Sequence, residues 1–151
     1  MTNEEPKQWI VMRTDLKMRK GKMIAQGAHA SMKVFFNCGW VKTKYPEVGT
    51  QVGPAARMQG KPLPRPQFTA ALTRPMVEWM NGDYTKISVR VESEDELDVV
   101  FNKAEEAGLP CALITDLGKT EFNGVSTKTC CAIGPCYPSE VKDIVGHLKL
   151  L

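Results

Sequence analysis

Five cationic side chains stand within ten residues near the start of the chain, and such a group could hold an anion. They are Arg13, Lys17, Arg19, Lys20 and Lys22. Neighbouring cations repel each other wherever solvent does not screen them, so a fold must spread this charge or bind an anion with it. The group comes directly before a predicted helix, whose first turn exposes unpaired N–H groups. Phosphate is therefore the expected anion.

Two polar residues continue from this group at helical spacing. Gln26 and His29 follow Lys22 at i+4 and i+7, which places the three along one edge of a helix. They could work as a row in one site. A histidine beside an apolar face is also common as a structural residue, so both roles stay open for His29.

A second set of residues whose side chains could take part in catalysis lies nearly one hundred positions further along the chain. Asp116, Lys119 and Thr120 belong to the polar loop DLGKTEFNGVSTK, and Thr129 follows in the next apolar run. Asp116 comes just after a predicted strand, where α/β sheets commonly carry functional groups. Two simpler interpretations also stand: Asp116 could cap a turn, and Thr129 could be an ordinary strand residue.

Short apolar runs predict the strands that would position these residues. Four such runs are present: QWIVMRT (Gln8–Thr14), TKISVRV (Thr85–Val91), PCALITD and TCCAIGP. Their length and their β-branched content are typical of buried or half-buried strands.

Three segments with an apolar period of 3.6 residues predict helices. The first starts near Lys22 and would bury an apolar face made of Ile24, Ala28, Met32 and Phe35. The second has Ser93 and Glu96 as a capping box and Gly108 at its C-terminal end. The closing segment SEVKDIVGHLKLL is the third. Four strands with three helices predict a layered structure of the α/β or α+β class.

The middle of the chain, about residues 38–83, has a different character. It is rich in Gly and Pro and has weak periodicity, which favours a long loop or insertion. The stretch MVEWMN near its end could form a short helix. The 151 residues otherwise suit a single domain.

Composition narrows the class of protein. The net charge is only +3, so any anionic partner would bind at a local patch. The chain has no apolar run long enough to span a membrane and no signal-peptide pattern, which predicts a cytoplasmic protein without membrane association. Its five cysteines are odd in number and are expected to be reduced. Cys130 and Cys131 would point to opposite faces of a strand and could not share a metal.

Several of these stretches together resemble the peptidyl-tRNA hydrolase 2 family. The stretch DLKMRKGKMIAQGAHA is similar to the family's long basic motif, and LITDLGKT, TKTCCAIGP and the ending VGHLKLL follow in the family's order. Arg19 stands where the family usually has Gly, and the middle segment is longer than the family's usual connection. The resemblance covers roughly Gln8–Phe36 and Thr85–Leu151.

The resemblance implies a fold, a reaction and a site. It implies a mixed four-stranded sheet flanked by helices, and hydrolysis of the ester that joins a peptidyl or N-blocked aminoacyl group to the 3′ end of tRNA. It also implies a mechanism without metal or cofactor. The family's catalytic positions fall on Lys22, Asp116, Thr120 and Thr129, with Gln26 and His29 lining the same cleft.

Chemistry narrows the roles of these residues. Charged Lys22 suits stabilisation of an oxyanion, whereas Asp116 suits holding or deprotonating the attacking group, which we expect to be water and not a threonine hydroxyl. Contacts to tRNA phosphates are assigned to the remaining cations, Lys17, Arg19, Lys20 and Lys119.

The amino-acid sequence leaves two other functions open. One is a tRNA- or RNA-binding protein that does not hydrolyse its ligand, and the other is a small protein that binds phosphate or nucleotide. Neither a P-loop nor a dinucleotide-binding glycine pattern is present, which disfavours the last function. The sequence leaves the formation of a homodimer open.

Overall fold

A computed structural model describes residues 3–42 and 66–151. These residues form a four-stranded sheet with helices on both faces and a separate two-stranded sheet. None of the helices in the described ranges is long and apolar enough to cross a membrane. The elements are, in chain order, β1 (Lys7–Arg13), α1 (Lys20–Asn37), β2 (Gly39–Lys42), β3 (Gln67–Ala70), α2 (Arg74–Asn81), β4 (Lys86–Val91), α3 (Glu94–Glu106), β5 (Cys111–Asp116), β6 (Thr127–Cys136) and α4 (Pro138–Val145).

The main sheet is mixed, and its strand order is β4-β1-β6-β5. Strand β1 is parallel to β4 and antiparallel to β6, which is antiparallel to β5 in turn. The C-terminal ends of β1, β4 and β5 therefore share one edge of the sheet with the start of β6. The α/β class and the mixed four-stranded sheet are confirmed.

Each face of the main sheet carries its own hydrophobic core. Side chains such as Val11 and Ile133 pack with Leu97 of α3 and Val141 of α4. On the other face, the sheet packs against α1 and α2. Cys131 belongs to the first core and Cys130 to the second, as strand alternation predicts. All five cysteines are free thiols.

Helix α1 is present, but the predicted apolar face was wrong. Ile24 is 73% exposed and Met32 is 53% exposed, and Ala28 is exposed as well. Only Phe35 of the predicted face turns inward, where its ring stacks on Trp79 at 5.7 Å between centroids. The outward apolar residues line a groove between α1 and β4.

The physical reason is that α1 packs through small and polar side chains. Its buried residues are Gln26, Ala30, Ser31 and Val34. The Ser31 hydroxyl donates to Gln8 Oε1 of β1 at 2.6 Å, so a polar pair replaces an apolar contact under the helix. Small residues allow the helix to approach the sheet closely, and a polar group in a core is stable when it is hydrogen-bonded.

The middle segment contains more regular structure than predicted. Strands β2 and β3 pair antiparallel, with Trp40 opposite Thr69 and Val41 opposite Phe68. Helix α2 confirms the helix predicted in MVEWMN, and Thr73 caps it by accepting from the Met76 N–H. The prediction of a long loop was therefore wrong for 39–42 and 67–70. The rest of the predicted insertion, 43–65, lies outside the described residues.

The remaining helices follow the sequence signals with small changes. Ser93 Oγ accepts from the Glu96 N–H at 3.1 Å, while the Glu96 carboxylate accepts from Glu92 and not from Ser93. Helix α4 is shorter than the predicted closing helix and ends at Val145. The last residues run along the outer edge of β4 instead, where the Leu151 N–H donates to Ser88 O at 3.0 Å.

Candidate active site

A lysine and an aspartate from distant parts of the chain form the centre of the site. Lys22 lies in the first turn of α1, and Asp116 is the last residue of β5. Lys22 Nζ lies 2.6 Å from Asp116 Oδ2, and the two side chains are only 13% and 14% exposed. Lys22 Nζ also donates to Thr120 Oγ1 at 3.1 Å. The structure therefore brings together three of the residues that the sequence singled out.

Gln26 extends this centre into the core. It stands one turn after Lys22 and is only 2% exposed. Its Nε2 donates to Asp116 Oδ2 at 3.0 Å, and its Oε1 accepts from Thr129 Oγ1 at 2.6 Å. Thr129 is fully buried. Because an ionised carboxylate only accepts, Asp116 fixes which end of the Gln26 amide faces it, and the Thr129 hydroxyl donates to the remaining amide oxygen.

A bulge in β6 turns Thr129 toward α1. In the pairing of β5 with β6, Ile114 stands opposite Cys130, but Thr115 stands opposite Lys128, so Thr129 is an extra residue. Thr129 and Cys130 both contact Gln26, whereas Lys128 binds Asp98 on the opposite face of the sheet. Bulges commonly redirect a side chain beside a functional site.

The turn after β5 holds the carboxylate in place. Asp116 Oδ1 accepts the Gly118 N–H at 2.8 Å. Gly118 has a φ of +75°, and a Cβ there would collide with the backbone of Val125. Asp116 therefore does cap its own turn, as the simpler interpretation held, and it also binds Lys22.

The electrostatics favour an ionised carboxylate. The hydrogen bond from Lys22 lowers the pKa of Asp116, and the Gly118 N–H and Gln26 act in the same direction, whereas burial opposes them. An ammonium group has three protons, and two of those of Lys22 meet the oxygens of Asp116 and Thr120. Among the residues that the structure describes, the third proton of Lys22 has no acceptor, so it can bind a substrate oxygen.

The other predicted residues have no hydrogen bond or ion pair with Lys22 or Asp116 among the described contacts. His29 is exposed on the flank of α1 that carries Lys22 and Gln26. The basic rim consists of the exposed side chains of Lys17, Arg19, Lys20 and Lys119. Arg19 Nε donates to Glu121 at 2.7 Å, which ties the loop before α1 to the loop after β5.

Two residues of the site were missed by sequence reasoning. Glu121 balances Arg19, and the ring of Phe122 lies 5.7 Å from Lys22 Nζ. Their place in the same polar loop as Asp116 was the only available signal. No group of three His, Cys, Asp or Glu side chains suited to a metal occurs in residues 3–42 and 66–151.

The arrangement suits acyl-transfer chemistry on a polyanionic substrate. A cation with a free proton can stabilise an oxyanion, and the adjacent carboxylate can accept a proton from an attacking group. The basic rim can hold phosphates next to the reacting bond.

Comparison with known proteins places this chain in a family. Residues 6–151 match the family model described as "Peptidyl-tRNA hydrolase PTH2". The chain is 37% identical over 142 residues to a "Peptidyl-tRNA hydrolase" of Methanocaldococcus jannaschii, which covers 94% of this chain and 96% of that relative. A protein of the same name from Aeropyrum pernix is 36% identical over 150 residues, or 99% of each chain.

A third relative comes from a eukaryote. The chain is 34% identical over 149 residues to a "Probable peptidyl-tRNA hydrolase 2" of Drosophila melanogaster, and this match covers 99% of the chain and 63% of that relative. The chain belongs to the peptidyl-tRNA hydrolase PTH2 family, and the resemblance inferred from its motifs is confirmed.

Proposed function

We propose that this protein hydrolyses the ester between a peptidyl or N-blocked aminoacyl group and the 3′ ribose of tRNA. Membership in the PTH2 family supports the reaction. The observation that carries the assignment of the site is the largely buried Lys22–Asp116 pair, in which the third proton of Lys22 has no acceptor among the described residues.

Lys22 is proposed to stabilise the oxyanion. When water attacks the ester carbonyl carbon, negative charge develops on the carbonyl oxygen, and a fixed ammonium group stabilises that charge. Lys22 then binds the oxyanion more strongly, and its hydrogen bond to Asp116 becomes weaker. Because the Lys22 hydrogen bond is the main cause of the lowered pKa of Asp116, this shift restores basicity to the carboxylate when it is needed.

Asp116 is proposed to move the proton. Its carboxylate accepts a proton from the attacking water, the bond between the carbonyl carbon and the ribose oxygen breaks, and the proton passes to the departing oxygen. The products are free tRNA and a peptide or N-blocked amino acid. Gln26, held by Thr129, fixes the position of the carboxylate throughout.

Neither threonine suits the role of nucleophile. Thr129 is fully buried and its hydroxyl donates to Gln26, so it cannot reach a substrate carbonyl. Thr120 is exposed, but its oxygen accepts from Lys22, which lowers its nucleophilicity. A water molecule is therefore the proposed nucleophile, and Thr120 orients Lys22.

The basic rim is proposed to bind phosphates near the 3′ end of tRNA. Lys17, Lys20 and Lys119 are exposed point charges, and Arg19 is held by Glu121. Phosphate contacts of this kind position a nucleic acid without reading its sequence, and they make binding sensitive to salt. The cytoplasm, where translation takes place, is the proposed location.

The test measures release of labelled N-acetylaminoacyl groups from tRNA by the purified protein, with a chelator present. The wild type is expected to turn over, and Asp116→Asn is expected to lose activity by at least a hundredfold. Asp98→Asn is the matched control, because Asp98 also pairs with a lysine but lies on the opposite face of the sheet.

The outcomes separate the open functions. Turnover with chelator supports a reaction that needs no metal, and turnover only after addition of a metal contradicts that part of the proposal. Tight binding of tRNA without turnover favours the binding protein that does not hydrolyse its ligand. Equal losses in Asp116→Asn and Asp98→Asn contradict the assignment of the site.

A further inference from the structure

A second ion pair joins the same two segments as the Lys22–Asp116 pair. Arg19 Nε lies 2.7 Å from Glu121 Oε1. Arg19 is the residue just before α1, three positions ahead of Lys22, and Glu121 follows Thr120, which accepts from Lys22. The two pairs are therefore adjacent links between the start of α1 and the loop after β5. The proposed hydrolytic steps give Glu121 no role.

The two partners of this ion pair differ in exposure. The side chain of Glu121 is 15% exposed, whereas that of Arg19 is 79% exposed. Phe122, the residue after Glu121, packs against the core on the α1 face of the sheet, so the loop presents the carboxylate from an anchored position. Because an ion pair with an exposed partner contributes little to stability, what it fixes is the direction of the guanidinium group.

The contact leaves most of the guanidinium group available. Arginine carries five N–H donors in a planar fork, and Glu121 accepts the one on Nε of Arg19. Among the residues that the structure describes, the four N–H groups on the two Nη atoms of Arg19 have no acceptor. Such a pair of Nη donors matches two oxygens of one phosphate group. The ion pair therefore holds a fork that can bind a phosphate with two hydrogen bonds.

The local charge favours an anion at this fork. Residues 17–22 and 116–121 contain five cations and two carboxylates. Both carboxylates are already paired, Asp116 with Lys22 and Glu121 with Arg19. A phosphate on the two Nη atoms would bind a different edge of the guanidinium from Glu121, and the excess of cations offsets the repulsion between the two anions.

The place of the fork relative to Lys22 determines which phosphate it can reach. A rise of 1.5 Å per residue puts Arg19 about 4.5 Å before Lys22 along the α1 axis. Both side chains reach the same loop, at the neighbouring residues Thr120 and Glu121. When Lys22 binds the carbonyl oxygen of the ester, the nearest phosphate of the substrate is the 5′ phosphate of the terminal nucleotide, because the same ribose carries both groups.

We propose that Glu121 is a positioning residue, which directs the fork of Arg19 to the 5′ phosphate of the terminal nucleotide of tRNA. Glu121 does not touch the substrate. It reduces the conformational freedom that the arginine side chain would otherwise lose on binding. Arg19 binds the phosphate and thereby places the ester at Lys22. This inference deepens the proposed function and rests on it, because the ligand is the 3′ end of tRNA.

The test uses two small substrates, adenosine and adenosine 5′-monophosphate, each with the same N-acetylaminoacyl ester at its 3′ oxygen. The phosphate effect is the ratio of kcat/KM for the second substrate to kcat/KM for the first. Arg19→Ala is expected to lower this ratio about tenfold, the cost of a charge-assisted contact. Glu121→Gln is expected to lower it about threefold, because it frees Arg19 without removing its charge. For complete N-acetylaminoacyl-tRNA, both changes should raise KM and leave kcat within about twofold.

A double-mutant cycle determines whether Glu121 acts through Arg19. In the Arg19→Ala background, Glu121→Gln should have no further effect on the phosphate effect. A loss that persists in this background would overturn the proposal, because Glu121 would then only support its loop. A larger phosphate effect in Glu121→Gln would overturn it too, since the carboxylate would then compete with the phosphate for Arg19.

The chain offers a matched control pair on α2. Arg74 Nε lies 2.7 Å from Glu78 Oε1, and the side chain of Arg74 is 74% exposed. Helix α2 packs near the other end of α1, where Trp79 stacks on Phe35. Arg74→Ala and Glu78→Gln change the net charge as the test variants do and should leave the phosphate effect unchanged. An equal loss in Arg74→Ala would reduce the role of Arg19 to net charge and contradict the proposal.

Binding of adenosine 5′-monophosphate and of adenosine, neither carrying an ester, separates this inference from the hydrolytic function. NMR titration measures both affinities. If the wild type prefers the monophosphate, Glu121→Gln weakens that preference and no ester is turned over, the hydrolase proposal fails and the role of Glu121 stands. If the wild type turns over and Arg19→Ala leaves the phosphate effect unchanged, the role of Glu121 fails and the hydrolase stands.

Discussion

Two polar clusters stand at the same edge of the main sheet, on opposite faces, and they use similar residues in different ways. The active-site cluster joins Lys22 to Asp116 beside α1. The structural cluster is built around Arg13, the last residue of β1, beside α3. Both contain a cation with low exposure and a carboxylate whose pKa is lowered mainly by that cation.

The structural cluster uses its hydrogen-bonding capacity internally. Arg13 donates two hydrogen bonds to Asp15, one to Glu94 and one to the Lys128 carbonyl. Lys128 in turn binds both oxygens of Asp98 at 3.0 and 2.7 Å. Fixed partners therefore occupy the guanidinium group of Arg13. Its role is to attach β1 to the start of α3 and to β6.

The active-site cluster differs because, within 3–42 and 66–151, Lys22 pairs with a single carboxylate and its third proton has no acceptor. Its neutral members, Gln26 and Thr129, fix geometry without neutralising further charge. An ion pair alone therefore does not distinguish a functional site from a structural one. The distinction lies in the proton of Lys22 that has no acceptor in the described part of the chain and in the exposed cations of the neighbouring loops.

Removing the cation of the active-site cluster should have the largest effect on activity. Lys22→Met is expected to lower kcat by 10²- to 10³-fold, the usual cost of losing an oxyanion donor. The free energy of unfolding should change by less than about 1 kcal/mol, because Asp116 keeps its Gly118 and Gln26 donors. Turnover of N-acetylaminoacyl-tRNA and urea denaturation measure the two quantities.

Lys128→Met is the matched control for Lys22→Met, since Lys128 also pairs with an aspartate near the same sheet edge. It should leave kcat within about twofold of the wild type. A loss of kcat as large as that of Lys22→Met would show that the two clusters do not divide catalysis and stability as described.

Removing the cation of the structural cluster should mainly change stability. Arg13→Met is expected to lower the free energy of unfolding by about 2–3 kcal/mol, because four hydrogen bonds are lost, although Asp15 and Glu94 can turn partly to water. Urea denaturation monitored by circular dichroism at pH 7 tests this value. At urea concentrations below the unfolding transition, kcat of Arg13→Met should stay near that of the wild type.

Arg13→Lys provides the comparison that keeps the charge and loses the planar fork. It should lie between wild type and Arg13→Met, at a cost of about 1 kcal/mol. If Arg13→Met is as stable as the wild type, the network at this edge does not contribute to stability and the contrast with the active-site cluster is lost.

The sequence allowed prediction of the four strands of the main sheet, the three principal helices and the family. It did so because apolar period and capping residues are local signals, as Ser93 and Gly108 of α3 illustrate. The face of α1 could not be predicted in this way. Its inward residues are small or polar and bind partners on a distant strand, as Ser31 does with Gln8, so hydrophobicity alone gave the wrong face.

For the site, motif position indicated Lys22, Gln26, Asp116, Thr120 and Thr129, and the structure brings these five together. Their roles in catalysis stay predictions. The partners of Arg13 and Arg19 escaped sequence reasoning because an ion pair leaves no trace in local periodicity. The direction of Thr129 escaped it too, since a bulge breaks the alternation on which strand predictions rest.

A change at Thr129 should lower both kcat and the free energy of unfolding, because this residue is buried and also holds Gln26 in the active-site cluster. Thr129→Val keeps the shape but removes the donor to Gln26 Oε1. The unsatisfied oxygen should cost about 1–2 kcal/mol of unfolding free energy, and the loosened amide should lower kcat about tenfold. Thr129→Ser, which keeps the hydroxyl, should retain most of the activity, and equal losses in Val and Ser would contradict this positioning role.

The smallest expected effect concerns the pKa values of the two aspartates. Hydrogen bonds from Lys22 and from Arg13 hold the pKa of Asp116 and of Asp15 below the ordinary value of 3.8. A lowered pKa contributes stability that is present above the unfolded value and is lost as pH falls through the folded value. Both contributions should therefore be complete at pH 7, begin to fall near pH 4 and be lost as pH passes through the lowered pKa of each aspartate, and neither aspartate should limit kcat between about pH 5 and pH 8.

Carbon NMR of the two carboxyl groups can measure this contrast directly. Lys22→Met should raise the pKa of Asp116 and leave that of Asp15 unchanged, and Arg13→Met should do the reverse, because the clusters lie on opposite faces of the sheet. A shift of both pKa values in either variant would mean that the clusters are coupled across the sheet edge. Catalysis at Lys22 would then depend on the charge network around Arg13, and the division between them would have to be withdrawn.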